Sequence, residues 1–219
     1  MNAQGEGANM HVWIGVLTAI VLGLTGYLTS PALLEAGGVP QCEPEISACV
    51  GNTGTIGQGA CIGVISCLEN EGVIGKAACH GDSACDSNTG QIGEGSCQGS
   101  RACEGNSGPI RKSSCQGTVA CRGNEGSIGE GACLGNSACD FNDEAIGKGS
   151  CLGSGACNGN GAPVGQASCW GASACSGNTG TIGQNACRGD LACLNNTQPI
   201  AAGTCNGPPL PSGKGVCEQ

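Results

Sequence analysis

The sequence predicts an all-β protein, a single-stack β-solenoid of about ten triangular 18-residue coils with a disulfide inside each, preceded by one N-terminal transmembrane α-helix. Three observations carry this expectation. A repeat of 18 residues runs without insertion or deletion from Ala48 to about Pro209. The 219 residues include 20 Cys and 43 Gly but only 2% aromatics, so no ordinary core of Phe, Trp and Tyr can form and cross-links must stand in for it. Ahead of the repeat, residues 11–34 carry no charged side chain until Glu35 and read as one apolar span.

Residues 1–10 form a short tail whose one charge is Glu6. The span 11–34 follows, with Val12 to Leu28 almost wholly apolar, long enough as a helix to cross a bilayer. Trp13 and Tyr27 stand near its two ends, where interfacial aromatics belong, and Pro31 falls just past the helix or kinks its last turn. A cleaved signal peptide is the competing reading. It needs a positive leading region and a small-residue cleavage site, and neither is evident, so a retained anchor is expected. Gly15, Ala19 and Gly23 are spaced by four and Gly26 adds a further small residue. In lipid such a stripe lets a second helix approach closely, so the expected partners are the transmembrane helices of a larger complex; small residues are also common in membrane helices that pack against nothing. His11, at the start of the span, reads as a polar end and not as a ligand to a metal or chlorin.

Residues 35–47 are a linker and N-terminal cap, in which Pro40, Cys42 and Pro44 interrupt the pattern. The solenoid occupies 48–209 and its pattern breaks at Pro208, Pro209 and Pro211, and 210–219 form a C-terminal cap clamped by Cys217. Proline cannot extend a backbone ladder, so both ends are blunted against fibre growth, as a finished rod requires.

Each unit divides into three hexads: [Ala/Ser/Thr]-Cys-x-Gly-x-x, then [Ala/Ser]-Cys-x-x-Asn-x, then mostly Gly-x-Ile-Gly-x-x. Hexads leave no room for helices; they predict three short strands joined at corners, with coils stacked about 4.8 Å apart and a rod of roughly 45–50 Å. Read down the columns, Ile56, Ile74, Ile92, Ile110, Ile128, Ile146, Val164, Ile182 and Ile200 form an aliphatic core file suited to strand positions. A second file runs from Asn52 through Asn124 to Asn196 at the same interval. Asn tolerates positive φ and stacks its amides along an axis, so this file is read as a structural corner and ladder. The Gly63 to Gly207 file marks another corner.

Cys-x5-Cys and Cys-x11-Cys are not zinc spacings, and an even cysteine count allows complete pairing. Pairing across the longer gap strands Cys42 and Cys217 at opposite ends, and pairing along a file leaves one cysteine over in each. Pairing within a coil uses all 20: Cys42–Cys49, Cys61–Cys67, Cys79–Cys85, Cys97–Cys103, Cys115–Cys121, Cys133–Cys139, Cys151–Cys157, Cys169–Cys175, Cys187–Cys193 and Cys205–Cys217. The repeat domain is therefore expected on the oxidising side of a membrane, in an organelle lumen, a periplasm or the extracellular space, with the chain a single-pass membrane protein.

The net charge is −9, with no basic stripe and no aromatic platform, which argues against nucleic acid. Catalysis is not expected: His80 is the only His of the repeat, and no Ser/His/Asp set or paired carboxylates stand out. The small acidic group Asp140, Asp143 and Glu144 reads as surface variation, and the sequon Asn195-Asn196-Thr197 as incidental to the Asn file. No cofactor and no small-molecule substrate are expected. In the outward column that starts at Ile62, Leu134, Leu152 and Trp170 fall on consecutive coils and predict an apolar contact strip.

The segments Gly-Asn-Thr-Gly-Thr-Ile-Gly at 51–57 and 177–183, each followed by paired Cys hexads, resemble a Cys/Gly-rich repeat abundant in predicted proteins of diatoms and related algae. The resemblance covers 48–209 and implies a secreted or lumenal solenoid in an algal setting; it transfers no activity. The expected function is a non-catalytic, membrane-anchored structural or accessory subunit, its helix in a larger membrane complex such as a photosynthetic one and its solenoid a scaffold on the thylakoid-lumenal or extracellular face. The alternative is a secreted or cell-surface appendage or wall protein. Ice or crystal-surface binding stands behind both, because the best Thr column, Thr55 to Pro199, is spoiled by Gln91, Pro109, Pro163 and Pro199.

Overall fold

A computed structural model of the chain describes residues 47–207 and Cys217, all in the second of two compact units, Ala32–Gln219. The expected helix over 11–34, its stripe Gly15, Ala19, Gly23 and Gly26, the linker and cap over 35–47 save Ser47, and the tail beyond Gly207 save Cys217 lie outside the described residues. Among the described residues no helix is long and apolar enough to cross a membrane.

The described chain is a solenoid-like stack of 18-residue turns. Most of its backbone hydrogen bonds run between coils. In the coil that begins at Asn70, the amides of Gly75, Cys79 and His80 donate to the carbonyls of Ile92, Ser96 and Cys97 in the following coil. Those of Ile74, Ala77, Gly81, Ser83, Cys85 and Ser87 donate to Thr55, Gln58, Ile62, Val64, Ser66 and Leu68 in the preceding one. Every interior coil is thus held from both sides, as backbone groups inside a stack must be.

Three strands per coil were expected, and the stack contains fewer. Two columns of single-residue parallel bridges run along it, one from Ile56 to Ile200 and one from Ile62 to Arg188. The remaining side, Asp82 to Ser87 in the same coil, is a chain of turns. The cause is backbone sign. Ala77 (φ 51°), Cys79 (φ 59°), Gly81 (φ 136°), Ser83 (φ 53°) and Ser87 (φ 55°) all take positive φ, which no β-strand tolerates. The left-handed region costs a non-Gly residue roughly 1–2 kcal/mol. The disulfide at Cys79 and the inter-coil bonds at Ala77, Ser83 and Ser87 hold these residues there.

The interior is filled by files. Ile74, Ile92, Ile110, Ile128 and Ile182 are at most 2% exposed, and the aliphatic file is fully buried from Ile74 to Ile182. Beside it lie the cysteines from Cys61 to Cys193, all at 0%, and Ala84, Ala102, Ala120, Ala138, Ala156, Ala174 and Ala192, each placed before the second Cys of its coil. The Gly81 file is obligatory: a Cβ there would sit 2.5 Å from the Gly99 carbonyl oxygen of the next coil.

Candidate functional site

The cysteines come first, because they set the rung. Eight coils are bridged internally, from Cys61–Cys67 through Cys79–Cys85, Cys97–Cys103, Cys115–Cys121, Cys133–Cys139, Cys151–Cys157 and Cys169–Cys175 to Cys187–Cys193, with Cα separations of 5.5–5.6 Å. Cys205 joins Cys217 across a separation of 12 residues and ties the tail to the last coil. Cys49 is also disulfide-bonded, and Cys42 lies outside the described residues. Sulfurs from neighbouring coils approach within 4.8 Å, as in the group Cys79, Cys85 and Cys97. Each of these is engaged in a bridge and has no thiolate to offer a metal.

The Asn file is a continuous amide ladder. Asn124 Nδ2 donates to Asn106 Oδ1 (2.8 Å) and to the Gly126 carbonyl (2.7 Å), while its own Oδ1 accepts from Asn142 (2.9 Å). The amide-to-amide bond recurs from Asn70, on Asn52, to Asn196, on Asn178. Asn70 through Asn178 are 0% exposed, so each amide is spent inside the stack. The corner is offset from the expected place: positive φ falls on the preceding residue, such as Glu69, Ser87 and Phe141, and not on Asn. The side chain must point inward to reach the carbonyl two residues on, and the exposed residue before it takes the turn. Asn195, the acceptor of the sequon, is one of these exposed corner residues, whereas Asn196 belongs to the ladder.

In the outward column, polar side chains serve the backbone. His80 Nε2 lies 2.8 Å from the Gly59 carbonyl, and Gln98 donates to Ala77 (2.9 Å), Trp170 Nε1 to Gly149 (2.8 Å) and Arg188 to Ala167 (2.9 Å). His80, the one repeat histidine, is thus occupied by a corner carbonyl. Leu134, Leu152 and Trp170 are adjacent rungs. Leu134 and Leu152 are half-buried, and Trp170, 37% exposed, carries the Arg188 guanidinium over its ring at 4.1 Å.

Two charge features were not foreseen. Arg122 forms a bidentate pair with Asp140 on the next coil (3.0 and 2.8 Å) and lies 4.8 Å from the Phe141 ring centroid. The hydrogen bond to Asp140 raises the Arg122 pKa further, opposed by partial burial and assisted by the charges of Asp140 and Glu104. Asp140 is only 5% exposed, so the acidic group read from the sequence is split: Asp140 is ion-paired with Arg122, and Asp143 and Glu144 face solvent. Lys76, Glu94, Lys112, Glu130 and Lys148 also occupy one column in alternating sign, with Glu130 3.5 Å from both Lys112 and Lys148. Both pairs lie 18 residues apart, a signal visible in the sequence only once the charges are sorted by column.

This geometry defines a class: a Cys-rich repeat protein whose coils are cross-linked internally and joined along the axis by an amide ladder. The family model described as "Domain of unknown function (DUF7640)" matches residues 40–135 and again 124–218. The chain belongs to that family and carries the domain twice. No curated protein and no solved structure matches the chain.

Proposed function

We propose that the protein is a non-catalytic structural or accessory subunit, anchored in a membrane by residues 11–34 and presenting its solenoid as a stiff scaffold in an oxidising space. The observation that carries this reading is the identity of the rungs. From Cys61 to Cys193 each coil has its own disulfide and its own buried Asn amide in the same place. A stack whose coils are each closed by a disulfide and joined to the next by the same amide bond resists bending and proteolysis, which suits a spacer. The nine disulfides from Cys61–Cys67 to Cys205–Cys217 favour an oxidising compartment. In an alga, a photosynthetic membrane complex is one assembly that fits, with the rod in the thylakoid lumen and the stripe Gly15, Ala19, Gly23 and Gly26 against a partner helix; the resemblance of the repeat implies a secreted or lumenal solenoid and does not select that complex. Leu134, Leu152 and Trp170 would then meet a lumenal subunit.

The test is extraction in mild detergent, followed by isolation of the protein and mass spectrometry of what travels with it. Recovery in a defined membrane complex supports the proposal, and changing Leu134, Leu152 and Trp170 together to Ser then loosens that association while the disulfides still form. Recovery only in wall or appendage fractions rejects it in favour of the secreted alternative.

A further inference from the structure

One coil departs from the rule that the others keep. In the last hexad, Gly follows the aliphatic core residue at Gly57, Gly75, Gly93, Gly129, Gly147, Gly165 and Gly183, and a Cβ at any of these would lie 2.5–2.7 Å from the backbone of the next coil. The coil between Gly93 and Gly129 has Arg111 in that place, the only side chain in this column with another described coil stacked beyond it. The inter-coil bonds around it are slightly longer. The Arg111 amide reaches Ile128 at 3.0 Å where the glycines make the same bond at 2.8 Å, and Gly131 reaches Lys112 at 3.2 Å where Gly95 reaches Lys76 at 2.9 Å. Beside this coil lies a groove of about 490 Å³, lined by Arg111, Lys112, Lys148, Glu130, Gln91 and Pro109.

Overpacking of this kind is destabilising, and departures from a fold's own rule concentrate at functional or strained sites. Arg111 makes no ion pair among the described residues. Lys112 and Lys148 share the single carboxylate of Glu130. Three cations thus line the groove with one anion, a local excess of positive charge on a chain whose net charge is −9. A guanidinium fork with two ammonium groups is the donor set for a tetrahedral or planar oxyanion. Gln91 adds an amide and Pro109 a flat apolar ring, which suit a sugar. The groove spans four coils, roughly 14 Å at the usual strand spacing, room for two or three sugar units and too short for a nucleic-acid duplex.

We infer that this groove binds a sulfate- or carboxylate-bearing glycan, with the anionic group on Arg111, Lys112 and Lys148 and the sugar against Pro109. The test uses the full chain in mild detergent, with a heparin-derived tetrasaccharide, maltotetraose and sodium sulfate as probes in calorimetric titration at low salt. The sulfated tetrasaccharide is expected to bind and maltotetraose not to. R111G restores the glycine of the other coils and so keeps the fold; it is expected to weaken binding at least tenfold. E130Q removes the competing carboxylate and is expected to tighten it several-fold. Competition by sodium sulfate at equal charge would assign the site to the free oxyanion, whereas weak competition assigns it to the glycan. Equal affinity of R111G and the native chain, or loss of binding in E130Q, overturns the inference.

Discussion

Glycine at two neighbouring corners of the stack performs different work. Gly117 sits at φ 136° with an added Cβ 2.6 Å from the Gly135 carbonyl group, whereas Gly131, at φ 63°, has nothing within 4 Å. G131A therefore meets only the left-handed penalty and is expected to lower stability by about 1 kcal/mol. G117A must push two coils apart and is expected to cost at least ~3 kcal/mol or to prevent native disulfide formation. Urea midpoints under non-reducing conditions separate the two, and equal costs would show that the coils can part at this corner. The Asn ladder allows a second comparison. N124A leaves the Gly126 carbonyl, Asn106 Oδ1 and an Asn142 N–H unpaired inside the stack. The expected loss is about 3 kcal/mol. Asn52, half-buried at the ladder's end, donates to Gly54 and accepts from Asn70 alone, so N52A is expected to cost about 1 kcal/mol.

At the scale of one coil, the disulfide closes a short loop and acts on the unfolded chain. Replacing Cys115 and Cys121 together by Ala is expected to cost about 2 kcal/mol by the chain-entropy account. Repeating the change at Cys187 and Cys193, roughly 19 Å further along the axis, is expected to add the same amount within ~0.5 kcal/mol, since distant coils share no contact. Denaturant midpoints of the two single-bridge variants and the double variant check this, and marked non-additivity would mean that coils are coupled beyond nearest neighbours. The coil itself was partly legible in the sequence. A fixed period brings the same side chain to the same point of every turn, so a column that hardly varies reports one environment. Ile74 to Ile182 and the Asn ladder could be read this way. The strand count could not, because Cys79, Ser83 and Ser87 take positive φ without belonging to the types that favour it. Their conformation is imposed by the bridge and by the coil below. Arg122 with Asp140, and Arg111 against the next coil, look like isolated surface variation until the columns are laid side by side.

For the molecule as a whole, the question is whether the stack is built from interchangeable turns. Ile146 pairs with Val164 and Val164 with Ile182, while Asn160 bonds Asn142 and Asn178 bonds Asn160. Deleting residues 150–167 removes Cys151 and Cys157 together and joins Gly149 to Ser168, which stands in the column of Ser150. The next coil then meets the previous one in register: Ile182 faces Ile146, and Asn178 reaches Asn142. This shortened chain is expected to fold with its remaining disulfides intact and to lose about 4.8 Å of length by X-ray scattering. Deleting only residues 150–158 removes the same two cysteines, so thiol parity is unchanged, but everything after the cut is displaced by half a turn. Asn160 would then fall in the Cys151 column, and the ladder and the aliphatic file would both lose their continuation. That variant is expected to keep the coils before the cut and to expose the segment after it to trypsin at Arg188. If both deletions resist trypsin equally, the columns do not set the register; if both are cut, coils beyond nearest neighbours are needed to hold each turn.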